Sequence, residues 1–138
     1  MAATTAADLL YLDPPYNERD YGGYYHLPET IVRGAAPTPA GRSGAPTQQP
    51  HPRSDFCRPE SASAALAEVV RWAQSRYILI HYSKEGLVPH RAIMDMLSDR
   101  GRVSYRDLPV RAYSSREDAE GRTAIHRIYW CKISERAS

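Results

Sequence analysis

The sequence predicts an α/β domain: a parallel sheet covered by helices and closed by an antiparallel hairpin. Three observations carry this. Apolar runs of strand length alternate with amphipathic stretches of helical spacing. One run, Tyr77 to Tyr82 (YILIHY), is almost wholly apolar, as expected of a buried parallel strand. Two strand-like segments near the C-terminus flank a short polar loop, the pattern of a hairpin.

The elements follow in order. Asp8 to Leu12 (DLLYL) reads as a buried strand stopped by Pro14 and Pro15, which forbid both its continuation and immediate passage into a helix. Asn17 to Tyr25 is polar, contains Gly22-Gly23 and reads as a mobile loop. His26 to Arg33 is a short helix candidate, with Pro28 in its first turn and Gly34 beyond its end. Residues 34–59 are rich in Pro, Gly, Ser, Thr and Gln and poor in aliphatics, so they read as a flexible Pro/Gly-rich insertion. Glu60 to Ser75 places Leu66, Val69, Val70 and Ala73 at helical spacing. After the YILIHY strand and a Ser83-Lys84-Glu85-Gly86 turn, Pro89 to Arg100 forms a second helix, with Ile93, Met94 and Leu97 apolar and Gly101 after its end. Val103 to Tyr113 and Thr123 to Ile133 make the hairpin around SSREDAEGR. All of this is expected to be a single domain over residues 1–138.

Composition excludes more than it selects. A net charge of +2 does not by itself argue for nucleic acid. Lys84 and Lys132 are the only lysines, a bias that GC-rich coding explains better than phosphate recognition does. Ten tyrosines against one phenylalanine suit base stacking and ordinary strand packing equally. Cys57 and Cys131 show no metal-ligand or disulfide-framework spacing, so no metal site is expected. There is no signal-peptide pattern and no apolar stretch near the ~20 residues of a membrane span, so the expectation is a cytoplasmic protein without a membrane partner.

The chemistry gathers at Asp13-Pro14-Pro15-Tyr16. Ligands of open α/β sheets bind beyond the carboxyl ends of strands, and Asp13 stands at such an end. The prolines stiffen the turn and remove two N–H donors, leaving carbonyl acceptors. A carboxylate beside a carbonyl suits a planar group with two N–H donors, such as an exocyclic amine, and Tyr16 supplies an aromatic face for its ring. That is a pocket for a flipped base. The plainer alternative is a strand with a rigid proline turn, in which Asp13 caps local N–H groups.

At this point the chain resembles a known family. LLYLDPPYNERDY is similar to the catalytic motif of the D12 class (Dam-like) DNA adenine-N6 methyltransferases. YYHLPETI, RYILIHYSKEGLVP and the stretch from Leu108 through AYSSREDAEGR to HRIYWCKI resemble the segments that follow it. The resemblance implies a partial Rossmann-like methyltransferase fold, with the chain supplying strands 4 to 7 of a sheet ordered 3-2-1-4-5-7-6. It implies S-adenosylmethionine as cofactor and double-stranded DNA as partner, within a restriction-modification setting. Asp13, Pro14, Pro15 and Tyr16 are then the catalytic residues. Asp13 and the Pro14 carbonyl hold the adenine amino group, Tyr16 stacks on the flipped base, and Asp13 also borders the cofactor. Asp at the first motif position favours adenine over cytosine or protein glutamine.

Other residues are weaker candidates. Asn17, Arg19, Tyr21 and Tyr24 either contact DNA or form a solvated loop. Ser83, Lys84 and Glu85 share the ligand edge, with a plain turn the stronger expectation. Arg111, Arg116 and Arg122 flank the hairpin and read first as scattered surface arginines. His81 is expected to be a hydrogen-bonded core residue rather than a catalyst.

The family's FxGxG cofactor loop has no counterpart: the sequence contains no GxG. The expectation is therefore a fragment or split subunit, working with a complementary chain that carries the FxGxG loop. The alternative is a decayed, non-catalytic remnant acting at most as a weak DNA-binding module. The long insertion fits that alternative; the intact DPPY motif fits retained function.

Overall fold

A computed structural model of the chain describes residues 7–19, 28, 31–32, 34, 54–111 and 123–134. Strand β1 spans Ala7–Leu12, helix α1 Ala62–Trp72, strand β2 Ser75–Ser83, helix α2 His90–Ser98, strand β3 Gly101–Arg111 and strand β4 Thr123–Ile133. They build a four-stranded sheet in the order β1-β2-β4-β3, the arrangement anticipated for strands 4-5-7-6.

The sheet is mixed rather than parallel. β1 and β2 run parallel, with Leu12 opposite Ile80, whereas β4 is antiparallel to both β2 and β3. The last strand inserts between β2 and β3, so the hairpin contributes two antiparallel pairings against one parallel pairing.

Both helices pack on one face. From β2, Ile78, Ile80 and Tyr82 point into that core; from β4, Tyr129 and Cys131 do so. Helix α1 adds Ala62, Leu66 and Val70, and α2 adds Ile93 and Leu97. These positions follow the helical period, as expected; Val69 is only half-buried. The β2 pattern is a correction. YILIHY is not buried on both sides: burial alternates strictly, and Tyr77, Leu79 and His81 are half-buried on the opposite face. Among the described residues, no element packs on that face, which is why alternation replaces the continuous burial of a doubly covered strand.

Two boundaries also differ. Residues 54–59, read as the end of the insertion, are ordered. Asp55–Cys57 form a 3-10 turn capped by the Ser54 hydroxyl, and Cys57 is fully buried. Its thiol donates to the Arg19 carbonyl at 3.3 Å, which ties the turn to the segment after β1. Gly101 does not cap α2; it opens β3, and a Cβ there would collide with the Lys132 carbonyl. The short helix is described only at Pro28, Ile31 and Val32, which are helical, with Gly34 following at φ 60°. Residues 35–53 of the insertion and 112–122 of the hairpin loop lie outside the described residues.

Candidate functional site

The parallel pair brings the carboxyl ends of β1 and β2 to one edge of the sheet. Asp13 leaves β1 there, and Ser83 ends β2 beside it. Because β4 is antiparallel, its opening residues reach the same edge: Ser83 lies opposite His126, and Tyr82 opposite Arg127. A single edge therefore collects the proline motif, the turn after β2 and the base of the hairpin.

The motif is held by its neighbours. The Tyr16 carbonyl accepts a hydrogen bond from the Leu87 N–H at 3.0 Å, which fastens the motif to the turn between β2 and α2. That turn is held in its own right: the Lys84 N–H donates to the Ile125 carbonyl at 2.9 Å, and the Tyr82 hydroxyl accepts from the Val88 N–H at 3.2 Å. The Tyr16 ring meets His126 edge-on at 5.5 Å between centroids and Tyr82 at 6.4 Å, and it packs against the core cluster. Tyr16 is thus a half-buried wall, not a free side chain.

Asp13 is different. Its side chain is 54% exposed. Among the described residues, nothing donates to the Pro14 carbonyl. A carboxylate and, one residue on, a backbone carbonyl thus follow β1 at this edge, and both can only accept hydrogen bonds.

Beside Asp13 lies a second pair of side chains that sequence reasoning misassigned or missed. His81 is not a core residue. It is 26% exposed on the open face, with Nδ1 3.5 Å from the Asp13 carboxylate. Its Nε2 lies 2.8 Å from His126 Nδ1. Burial first, and then the neighbouring His81, push His126 below the ordinary imidazole range, against the opposing pull of Asp13. His126 had no signal in the sequence. It is 45 positions from His81, and only the register of β2 with β4 places the two diagonally on one face.

Other expected residues are placed as follows. Asn17 folds back on its own loop, its side-chain oxygen accepting from the Arg19 N–H at 3.0 Å. Lys84 and Glu85 are exposed on the turn, at the same edge as Asp13. Arg111 ends β3 at this edge too. Tyr21, Tyr24, Arg116 and Arg122 lie outside the described residues. No group of His, Cys, Asp or Glu able to hold a metal occurs among the described residues, and no helix there is long and apolar enough to cross a membrane. A hollow lined by Arg71, Trp72, Ala73, Gln74 and Arg100 opens at the opposite end, near the start of β2.

The family model of D12 class N6 adenine-specific DNA methyltransferases matches residues 1–96. Among curated proteins, the chain is 34% identical to the type II methyltransferase M.FokI of Planomicrobium okeanokoites over 89% of its length, covering 19% of that protein. It is 33% identical to the type II methyltransferase M.NlaIII of Neisseria lactamica over 80% of its length, covering 32% of that protein. It is 30% identical to the type II methyltransferase M.CviAII of Paramecium bursaria Chlorella virus 1 over 93% of its length, covering 38% of that protein. The chain thus spans well under half of each of these relatives. No solved structure matches it.

Proposed function

The chain belongs to the D12 class of N6 adenine-specific DNA methyltransferases, and from that footing we propose that its own residues hold the acceptor adenine of DNA for methylation at N6. The observation that carries this reading is the paired acceptor at the end of β1: an exposed Asp13 carboxylate beside a Pro14 carbonyl that no described donor meets. An adenine amino group offers two N–H donors to that pair. Holding both turns the nitrogen lone pair away from the ring and toward a methyl donor. Tyr16, braced by His126 and Tyr82, would stack on the flipped base, and Pro15 would keep the turn rigid. The relatives are methyltransferases of type II systems, which supports duplex DNA as the partner.

S-adenosylmethionine is the methyl donor this family membership implies; it would supply an electrophilic methyl group on sulfonium. The described residues do not fit the whole of it. Asp13 borders the transfer end, but a nucleoside and a carboxylate need backbone N–H groups at a glycine loop and an acid for the ribose. The described glycines, Gly34, Gly86 and Gly101, form no such cradle beside Asp13. On the described residues the chain's part in the reaction is the acceptor side, and the donor side would come from a segment bearing an FxGxG loop, either of a longer chain of which this is a fragment or of a complementary polypeptide. Two features among the described residues support that division: the outer edge of β1, which no described strand pairs, and the sheet face that no described element covers.

The test is a methyl-transfer assay. The chain is incubated with unmethylated duplex DNA and methyl-labelled S-adenosylmethionine, with and without a D12-class segment carrying the FxGxG loop, and N6-methyladenine is read by mass spectrometry. Label is expected only with the added segment and only when Asp13 is intact. Equal label from Asp13→Ala would remove Asp13 from the site; label from the chain alone would remove the need for a partner.

A further inference from the structure

We propose that His81 and His126 are positioning residues that hold the Asp13 carboxylate through a directional chain of two imidazoles. This rests on the reading that Asp13 receives the amine. The two links are unequal: Asp13 Oδ1 to His81 Nδ1 is 3.5 Å, an ion-pair approach, whereas His81 Nε2 to His126 Nδ1 is 2.8 Å, a hydrogen-bond distance. The rings lie 4.8 Å apart, and Tyr16 closes against the His126 end at 5.5 Å. Both the first and the last motif residue thus touch the same imidazole pair.

Direction follows from valence. A carboxylate only accepts, so the His81 nitrogen facing it must carry the proton. A neutral imidazole has one N–H, so His81 Nε2 is bare and must accept. His126 Nδ1 must therefore donate. One negative charge fixes both tautomers in sequence, the logic by which an outer hydrogen bond orients an inner ligand. The low affinity of His126 for a second proton, caused first by its burial, keeps the far imidazole neutral. The 3.5 Å contact is longer than a formed hydrogen bond and is expected to tighten once a substrate loads the other oxygen.

The consequence lies at Asp13. Its side chain is largely exposed, and without a partner its carboxylate would rotate freely. Holding Oδ1 from the β2 side leaves Oδ2 for the amine, so the rotational entropy is lost before substrate arrives rather than with it. Packing alone does not require this arrangement. The two rings stand on the sheet face that no described element covers, where aliphatic side chains such as Leu79 and Ile128 serve as filling.

The test reads tautomers, so it needs no turnover. The imidazole nitrogens of the ¹⁵N-labelled chain are observed by long-range proton–nitrogen correlation at neutral pH in the wild type and in Asp13→Ala. The wild type is expected to show His81 and His126 each as a single Nδ1–H tautomer. In Asp13→Ala both should become mixtures, including His126, two links from the change. A wild-type His81 carrying its proton on Nε2 would overturn the proposal. So would a His126 unmoved by Asp13→Ala while backbone dispersion shows the fold retained. A kinetic arm uses the chain with its complementing segment. His81→Phe should lower kcat by about tenfold, His81→Gln should restore part of it, and KM for the donor should not move. Rates equal to wild type in both variants would also overturn it. Should the complemented wild type transfer no methyl group, the functional reading fails, and the tautomers still decide the chain.

Discussion

Gly101 shows how one atom constrains this sheet. The backbone of β3 begins so close to the end of β4 that a Cβ would overlap the Lys132 carbonyl and lie 2.8 Å from the Ser134 N–H nitrogen. Those are backbone atoms, which cannot swing aside. Gly101→Ala is expected to cost about 1–3 kcal/mol, the range for overpacking, and the urea midpoint measures it. The sequence marked Gly101 as a helix stop, the commoner reason for a glycine after a helix, because close approach of a strand 30 residues away leaves no local trace. The candidate motif Asp13-Pro14-Pro15-Tyr16 stood out for the opposite reason: four contiguous residues offer the acceptors, the rigidity and the ring. His126 was not legible, since its role arises only once β4 is aligned with β2.

Among elements, β4 is the most informative. It carries Arg127, 8% exposed, whose guanidinium grips Asp107 of β3 with both arms; the outer Nη2 donates to Oδ2 at 2.8 Å. The same guanidinium lies 4.7 Å over the Tyr105 ring. The hydrogen bond from Arg127 is the main force holding the Asp107 carboxyl below its ordinary value. Loss of solvent around the ring, and then the Arg127 charge, likewise push His90 below the imidazole range; its Nδ1 lies 3.0 Å from the Tyr129 hydroxyl. Each of these groups binds its proton less readily folded than unfolded, so folding is favoured at high pH and loses ground on acidification. His90 and His126 lose their contribution as pH falls below 6.5, and Asp107 does so below 3.8. Urea midpoints taken from pH 8 to pH 3 should therefore fall in two stages. Asp107→Asn should remove the lower stage and lower the plateau; His90→Gln with His126→Gln should flatten the upper stage. A single stage unaffected by either change would show that other groups govern acid unfolding. The hairpin itself was legible from its alternation, but the pairing of Arg127 with Asp107 across it depends on register, which the polar loop did not specify.

At the scale of the whole molecule, the decisive feature is that the described helices cover only one side of the sheet. The other side presents Leu9 at 45% exposure, Tyr11 at 54% and Trp130 at 38%, with Trp130 stacked on Tyr77 at 5.0 Å. Half-buried Leu79 and Ile128 continue the same surface. The sequence announced an α/β domain through its alternation of elements, yet it could not show that the layer would be one-sided, because apolar strand residues look alike whether they face a helix or await one. A contiguous apolar face beside an unpaired strand edge is a binding surface in want of a partner, or a source of self-association. Charging it separates these uses from its role in folding. Leu9→Lys with Tyr11→Lys changes β1 only on the open face, while Leu10 and Leu12 keep their contact with the core. The thermal midpoint of the chain should therefore stay nearly unchanged. Sedimentation should show less self-association than wild type, and methyl transfer with the complementing FxGxG segment should fall at least about tenfold, as losing a buried apolar contact of 1.4 kcal/mol or more requires. Unchanged assembly and unchanged transfer would mean that this face is simply solvated, and that the complementing segment is held elsewhere. The pairing of an intact core with a lost partnership would instead place the complementing segment against β1, the strand from whose end Asp13 leaves.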